Sequence, residues 1–280
     1  MTEMAGKVVV ITGGNTGIGK EAAVGLASLG ARVVVTSRNE ERGRSARQEI
    51  AERSGNDSVE VMSLDLASFT SIRSFAADVL VNNAGLILHR RAETQEGFEE
   101  TFGVNHLGHF LLTDLLLERL RASAPARVVV VSSDAHKGAR QGLDFDDLQA
   151  ERKYKWAKAY SKSKLANIYF TRELARRLDR TGVTVNALHP GFVRSEFGRG
   201  GDLGGIYGWG IKYVASPFAI SPEKGARTTI YLASSPDVES VSGGYFFKSK
   251  PSTPSAVAQD DDAASRLWDA SEKLVASVPA

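Results

Sequence analysis

The chain contains no cysteine among its 280 residues. This absence excludes disulfide bonds, thiolate zinc sites, cysteine-ligated iron–sulfur clusters and cysteine nucleophiles. Long hydrophobic runs are also missing, because the best candidate, residues 110–117, is interrupted by Asp114. A membrane-spanning helix requires about 20 consecutive apolar residues. We therefore expect neither thiol chemistry nor a membrane span.

An excess of charge of one sign is absent as well. The 35 basic and 33 acidic residues leave a net charge of +2, too little to create a strong field toward nucleic acid or an anionic membrane. Residues 1–6 are polar and lack the apolar core of a secretory signal. These features favour a soluble cytoplasmic protein whose partner is a small molecule and not a nucleic acid.

Short β-branched segments alternate with longer amphipathic ones along the chain. The predicted strands are residues 7–12, 32–37, 58–65, 78–82, 126–132, 183–189 and 244–247. The predicted helices are residues 17–29, 39–53, 68–77, 98–121, 154–181, 222–234 and a last one near 264–275. Continuous apolar strands, such as residues 8–11, are typical of a parallel sheet covered on both faces. The alternation predicts an α/β doubly wound Rossmann fold, with a mostly parallel sheet of about seven strands and helices on both faces.

No repeat or linker divides the sequence, so we expect residues 1–280 to form a single domain. Residues 196–220 include a stretch rich in glycine and aromatics after a predicted strand, and we predict a substrate lid there. Residues 250–262 are rich in Pro, Ser and Asp, which predicts a flexible connection to the last helix.

The connection between Asp65 and Asn82 is short. Its sixteen residues must hold a turn, a helix and most of a strand, whereas a parallel crossover needs at least about 10–12. We expect a truncated helix that leaves part of the sheet face, and with it an oligomer surface, poorly covered.

A glycine-rich turn, TGGNTGIG at residues 12–19, follows the first predicted strand and opens the first predicted helix. Glycines there let the backbone approach a pyrophosphate, whose charge is favoured at a helix N-terminus. An ordinary glycine-rich turn is the alternative. The second strand ends at Arg38 without an acidic residue, so Arg38, assisted by Arg42, can face a 2′-phosphate. Both arginines can equally be solvated surface charges.

Two Tyr-x-x-x-Lys pairs are present, Tyr154 with Lys158 and Tyr160 with Lys164. Residues four apart share a helix face, so an ammonium can lie near the phenol. Free tyrosine has a pKa near 10, and a neighbouring positive charge favours the phenolate that a general base needs. The spacing alone does not choose between the pairs.

The motifs together resemble those of the short-chain dehydrogenase/reductase family. TGGNTGIG matches its T-G-x-x-x-G-x-G pattern, residues 82–85 its N-N-A-G motif, and residues 160–166 its Y-x-x-S-K-x-A run. Residues 190–195 are similar to its P-G-x-x-x-T segment, with Ser195 in place of threonine. VVSSDAH at 130–136, SKLAN at 163–167 and RLWD at 266–269 resemble the retinol dehydrogenase and WW-domain oxidoreductase group.

This resemblance implies hydride transfer between a nicotinamide cofactor and a small apolar aldehyde, ketone or alcohol. It assigns the general acid/base to Tyr160, the ribose contact to Lys164, the substrate hydrogen bond to Ser133, with Ser132 facing away, and a structural water to Asn105. With Arg38 after the second strand, NADP(H) is expected and NAD(H) is less favoured. The cofactor-binding residues that it implies are Thr12, Gly13, Asn15, Thr16, Gly17, Ile18, Gly19, Arg38, Asp65, Leu66, Asn83, Ala84, Gly85, Tyr160, Lys164, Pro190, Gly191, Val193 and Ser195.

Other interpretations remain open at this stage. Asp65 can contact adenine, as in the family, or cap a helix. His106 and His109 are three apart on a predicted helix, but no third metal ligand is apparent, so we expect no metal. A non-catalytic NADP(H)-binding sensor or scaffold is the main alternative function, and reduction of a carbon–carbon double bond is another. The resemblance leaves a homo-oligomer open.

Overall fold

The computed structural model describes residues 4–68, 79–193 and 219–278. The strands in these residues are Val8–Ile11 (β1), Arg32–Ser37 (β2), Val59–Ser63 (β3), Val79–Asn82 (β4), Ala126–Val131 (β5), Val183–Leu188 (β6), Tyr245–Phe247 (β7) and Lys250–Pro251 (β8). They form one sheet in the order β3-β2-β1-β4-β5-β6-β7-β8, parallel except for the antiparallel β7–β8 pair. The predicted doubly wound, mostly parallel sheet is confirmed.

Helices flank this sheet. The longer ones described are Gly17–Ser28 (α1), Glu40–Ser54 (α2), Gly108–Ala122 (α3), Trp156–Arg177 (α4), Pro222–Ser234 (α5) and Asp261–Ala276 (α6). Asn39 caps α2 by accepting a hydrogen bond from the Arg42 backbone N–H. Within the described residues, no helix is long and apolar enough to cross a bilayer.

Side-chain alternation along each strand divides the core in two. Val10, Leu80 and Val128 point to one side of the sheet, where they pack with residues of α3, α4 and α6. Val9 and Val129 point to the other side, where α1, α2 and α5 supply the packing partners. We call these sides the α3–α4–α6 face and the α1–α2–α5 face. Continuous apolar strands are therefore explained by burial on both sides.

Two predicted segments differ from the structure. The helix predicted over 98–121 is interrupted by a π-helical turn at Gly103–Leu107, which we call the π turn, before α3 begins. Residues 250–262, predicted to be a flexible connection, instead contain β8, a 3₁₀ turn at Ala256–Gln259 and the start of α6. That prediction was wrong because the same polar residues make specific bonds: Asp260 caps α6 by accepting from the Ala263 N–H.

Other expectations lie outside the described residues. These are the truncated helix over 68–77, apart from Ser68, and the lid at 196–220, apart from residues 219 and 220. β4, which follows the short connection, pairs in register with both β1 and β5.

Candidate active site

A crevice forms where the carboxyl ends of β1 and β4 meet. These strands are neighbours in the sheet although β2 and β3 lie between them in the chain. Chains leaving such neighbours run to opposite faces, and this is where open α/β sheets bind ligands. Thr12 follows β1, and its hydroxyl oxygen accepts the backbone N–H groups of Asn83 and Ala84, both at 2.9 Å. The Thr12 side chain thus joins the two walls of the crevice.

The glycine-rich loop leads from this crevice into α1. Gly17 has φ +52°, which favours glycine. A Cβ on Gly19 would lie 2.5 Å from Asn83 Nδ2 and 2.6 Å from the Gly13 carbonyl oxygen. Within segment 4–68, the first turn of α1 holds no acidic side chain, and Thr16 makes no side-chain cap. Its N–H groups therefore suit an anion, as a dinucleotide pyrophosphate requires. Asn15 lies in the loop, and Ile18 is the second residue of α1.

The end of β2 borders the loop. Thr36 accepts a hydrogen bond from the Gly13 N–H at 3.2 Å. Arg38 is exposed just beyond β2. Asp65 follows β3, and its carboxylate accepts the Ala67 N–H at 3.0 Å, so it stabilises a turn, while Leu66 is buried. Arg38 is thus placed at the rim on the β2 side of the crevice.

Ser133, Tyr160 and Lys164 come together beyond the end of β5. The Ser133 side chain hydrogen-bonds the Tyr160 phenol. Lys164 lies four residues after Tyr160 on α4, with its ammonium 5.8 Å from the centre of the phenol ring. The ammonium donates to the Val131 carbonyl at 3.1 Å. Ser132, whose hydroxyl donates to the Lys164 carbonyl at 2.7 Å, is engaged in the core.

Burial sets the protonation of this pair. It raises the pKa of Tyr160 to about 12, and the hydrogen bond with Ser133 partly opposes the rise. It lowers the pKa of Lys164 to about 8. At neutral pH the phenol is therefore protonated and the lysine is mostly charged. The arrangement can donate a proton to an oxygen that lies against Ser133 and Tyr160.

The competing pair, Tyr154 and Lys158, has a different environment. Tyr154 precedes the first residue of α4, so it does not share a helix with Lys158. Its hydroxyl donates to the Leu88 carbonyl at 2.7 Å, while Lys158 is exposed. The structure brings Tyr160, and not Tyr154, to Ser133.

Asn105 lies in the π turn and holds the segment that follows Gly85. Its side chain accepts the Leu86 N–H at 2.8 Å and donates to the Leu86 carbonyl at 2.9 Å. It also donates to the Ser163 hydroxyl at 3.0 Å. Asn105 is therefore linked to α4 beside Tyr160, through Ser163, whose hydroxyl donates to the Tyr160 carbonyl.

The segment after β6 lines the same edge of the sheet. Gly191, which follows Pro190, has φ +88°. Val193 forms a parallel bridge with Ile220, and it packs against the first turn of α5, where a Cβ on Gly225 would meet it at 2.7 Å. Ser195 lies outside the described residues.

Two buried histidines contact site residues that the sequence interpretation left unconnected. His109 Nε2 lies 2.9 Å from the Thr12 hydroxyl oxygen. His136 Nδ1 lies 2.8 Å from the Ser133 carbonyl oxygen, and its Nε2 accepts the Ser255 N–H. The spacing of four residues between Asn105 and His109 is a sequence signal that predicts a shared helix face.

His106 and His109, which the sequence raised as candidate metal ligands, each have another partner. His106 Nε2 lies 2.9 Å from the Ser271 hydroxyl oxygen, and His109 contacts Thr12. In the described parts of the chain, no three His, Cys, Asp or Glu residues are grouped as a metal site.

Known proteins are similar to this chain in both sequence and fold. The family model described as short chain dehydrogenase matches residues 7–144 and 147–200. Retinol dehydrogenase 12 of Homo sapiens is 48% identical over 282 residues, covering 98% of this chain and 87% of the relative. Among solved structures, an uncharacterized protein from Mycobacterium paratuberculosis has a TM-score of 0.77 and 36% identity, covering 97% and 94% of the two chains.

A second solved structure carries a cofactor. It is a candidate NAD(P) dependent gluconate 5-dehydrogenase from Beutenbergia cavernae with NADP bound at low occupancy. Its TM-score is 0.69 at 26% identity, with 88% of this chain and 96% of the other covered. The crevice described above is thus found on a scaffold that is similar to a dinucleotide-binding one.

Proposed function

Because this chain belongs to the short chain dehydrogenase family, we propose that it transfers a hydride between NADP(H) and an apolar aldehyde, ketone or alcohol, with Tyr160 as general acid and base. Membership itself makes the chain an NAD(P)-dependent oxidoreductase acting on CH–OH groups. The observation that carries the finer proposal is the hydrogen bond of Ser133 with the Tyr160 phenol, whose ring centre lies 5.8 Å from the Lys164 ammonium.

When bound, the nicotinamide cofactor would supply or accept the hydride. Ser133 and Tyr160 bind the substrate oxygen through their hydroxyls. In the reducing direction Tyr160 donates its proton to that oxygen, and in the oxidising direction its phenolate accepts the proton. Lys164 favours the phenolate by its charge, since an opposite charge nearby lowers a pKa. Asn105 positions the Leu86 backbone at the edge of the same crevice.

The residues around the crevice fit a dinucleotide. A Cβ at Gly19 would occupy the space between the Asn83 side chain and the Gly13 carbonyl. The first turn of α1 presents N–H groups that no side chain caps. The preference for NADP(H) rests on Arg38, exposed at the end of β2 where no acidic residue stands. A guanidinium suits a 2′-phosphate, whereas NAD-specific sites place a carboxylate near the ribose. The NADP held by a similar structure is consistent with this preference.

An apolar substrate is supported by the names of the relatives. They are retinol dehydrogenases, and retinol is an apolar alcohol. Phe192, beside Gly191 at the crevice, is 51% exposed and offers an apolar wall. We also propose that residues 196–220 act as the substrate lid and that the protein works in the cytoplasm.

The test is NADPH oxidation with a panel of apolar aldehydes and ketones. General acid–base catalysis contributes about 10²–10⁴-fold, so Tyr160→Phe should lower kcat by that factor. Tyr154→Phe is the matched control, because it also removes one phenol hydroxyl, from the pair that does not contact Ser133. Its kcat should stay within about threefold of wild type. Wild type should also have a higher kcat/KM with NADPH than with NADH.

Loss of turnover in Tyr154→Phe alone would contradict the assignment. Tight NADPH binding without turnover of any substrate would instead support the non-catalytic sensor or scaffold. The complete set of Asn105, Ser133, Tyr160 and Lys164 argues against that alternative, because cofactor sensing needs the glycine-rich loop and not an acid/base pair.

A further inference from the structure

His109 connects two parts of the site that are far apart in the chain. It is 2% exposed on α3, one turn after Asn105. Its Nε2 lies 2.9 Å from the Thr12 hydroxyl oxygen, and its Nδ1 lies 3.2 Å from the Asn105 carbonyl oxygen. The imidazole ring therefore spans the distance between the start of the glycine-rich loop and the π turn.

The partners of the ring determine where its proton resides. A carbonyl oxygen can accept but not donate, so Nδ1 must carry hydrogen to bond Asn105. At the other nitrogen, the Thr12 oxygen already accepts two backbone N–H groups, and a hydroxyl has two acceptor sites and one donor. The Thr12 hydroxyl consequently donates its hydrogen, and the unprotonated Nε2 of His109 is its nearest acceptor, since the Val81 carbonyl lies farther away at 3.3 Å.

A cationic ring does not suit this position. A hydrogen on Nε2 would face the Thr12 oxygen, whose acceptor sites are filled. Burial also lowers the pKa of His109 to about 3, so the neutral form is present throughout the physiological range.

We propose that His109 is a positioning residue that couples the dinucleotide-binding loop to the catalytic π turn through its neutral imidazole. The hydrogen bonds run in one direction, from the backbone N–H groups of Asn83 and Ala84 to Thr12, from Thr12 to His109, and from His109 to the Asn105 carbonyl. Such a directional chain holds each member in one orientation. The loop and Asn105 are then kept in a fixed relation, and the inference rests on the proposed function.

Two substitutions each remove one of the two hydrogen bonds of the His109 ring and keep the other. In His109→Asn, the amide nitrogen takes the place of Nδ1, so the bond to Asn105 is retained and the bond to Thr12 is lost. In His109→Gln, the longer amide reaches Thr12, and the bond to Asn105 is lost. We expect His109→Asn to raise the Kd of NADPH about tenfold with kcat at saturating NADPH within about threefold of wild type. We expect His109→Gln to lower kcat about tenfold with an NADPH Kd within about threefold of wild type.

Tyr169→Phe is the control. Tyr169 is equally buried, but its hydroxyl donates to the Val257 carbonyl at 2.8 Å, outside the crevice and the π turn. This variant should lower the melting temperature without changing the NADPH Kd or kcat. If both His109 variants only lowered the melting temperature, as the control does, His109 would be a structural core residue and the proposal would be overturned.

A measurement on the wild-type protein does not depend on the folding of any variant. Nitrogen NMR of the histidine rings should identify His109 as the Nδ1–H tautomer, and NADPH should shift its Nε2 signal while leaving His106 unchanged. A cationic ring, an Nε2–H tautomer or an unresponsive signal would overturn the coupling. The Kd and NMR measurements need no substrate. They therefore test the hydrogen bond between His109 and Thr12 even if no carbonyl compound is turned over.

Discussion

The two faces of the sheet are built from different kinds of residues. The α1–α2–α5 face is packed mainly by small and aliphatic side chains, among them Ala22, Leu26, Ala46, Ile50 and Leu232. Its buried carboxylate, Glu21, lies paired with Arg53 in two hydrogen bonds of 2.6 and 2.7 Å. The α3–α4–α6 face combines large aromatics with buried polar groups, among them His106, His109, Ser163, Lys164 and Asn167.

The difference shows where this fold tolerates polar groups in its interior. An unpaired polar group costs free energy when it is buried, so buried polar groups are normally hydrogen-bonded. On the α3–α4–α6 face several of these bonds lead to the site, as in the contacts of Lys164 with Val131 and of His109 with Thr12. One face therefore mainly supports stability, whereas the other supports stability and chemistry together.

The largest expected effect tests packing within the α1–α2–α5 face, at a residue outside the site. Ile50 is fully buried on α2, and Ile50→Ala should reduce the free energy of unfolding by about 2–5 kcal/mol through lost burial and a cavity. Turnover per folded molecule should not change. Urea unfolding and kcat at a temperature where the variant is folded would measure both. Ile50→Val, as the milder control, should cost about 0.5–1.5 kcal/mol, and a parallel fall in kcat would contradict the division between the faces.

The second prediction concerns the buried ammonium of Lys164, whose removal should increase the free energy of unfolding and not reduce it. Lys164 has a native pKa of about 8 against an ordinary value of 10.5, so between these values the unfolded chain binds more protons and stability rises with pH. Below pH 8 the charged group is present in both states and destabilises the fold. Lys164→Met should therefore be more stable than wild type at pH 7, by on the order of 3 kcal/mol, while turnover is lost.

The pH dependence of this difference is the decisive measurement. The advantage of Lys164→Met should shrink as the pH rises from 8 to 10.5 in unfolding experiments on both proteins. The Val131 carbonyl keeps a partner in the variant, because Asn167 Nδ2 also donates to it at 3.3 Å. A difference that stays constant over this range would show that the site lysine is not destabilised by burial.

The smallest effect compares two buried threonines on opposite faces. Thr113 on α3 donates to the His109 carbonyl at 2.7 Å and accepts from Asn82 Nδ2 at 3.0 Å. Thr113→Val leaves the Asn82 amide without that partner, which should cost about 1–3 kcal/mol. Thr229 on α5 is equally buried, but within the described residues its hydroxyl has no hydrogen-bond partner. Thr229→Val should therefore be neutral or stabilising, and equal losses for both in thermal unfolding would refute the distinction.

Much of the fold followed from local patterns in the chain. Short β-branched segments, several of them continuously apolar, predicted both ends of each parallel strand from β1 to β6 to within about two residues. The prediction failed where local composition was ambiguous: residues 250–262 looked like a connection, yet Ser252 N–H bonds the Tyr245 carbonyl beside β8. The π turn was missed because the apolar spacing of residues 98–121 continues through it, and the Asn105 bonds to Leu86 that accompany it are tertiary.

The sequence by itself determined the strand and helix order, the glycine-rich loop and the spacing of Tyr160 with Lys164. These features depend on residues a few positions apart, whose geometry is set by backbone periodicity. Spacing did not choose between the two Tyr-x-x-x-Lys pairs, and the resemblance of residues 160–166 to the family motif already favoured Tyr160. Only the tertiary structure showed that His109 joins Thr12 to Asn105. Thr12 and His109 are 97 residues apart. They meet because the sheet order places β1 beside β4, and the first turns of α3 contact the ends of both strands, through His109 with Thr12 and Thr113 with Asn82.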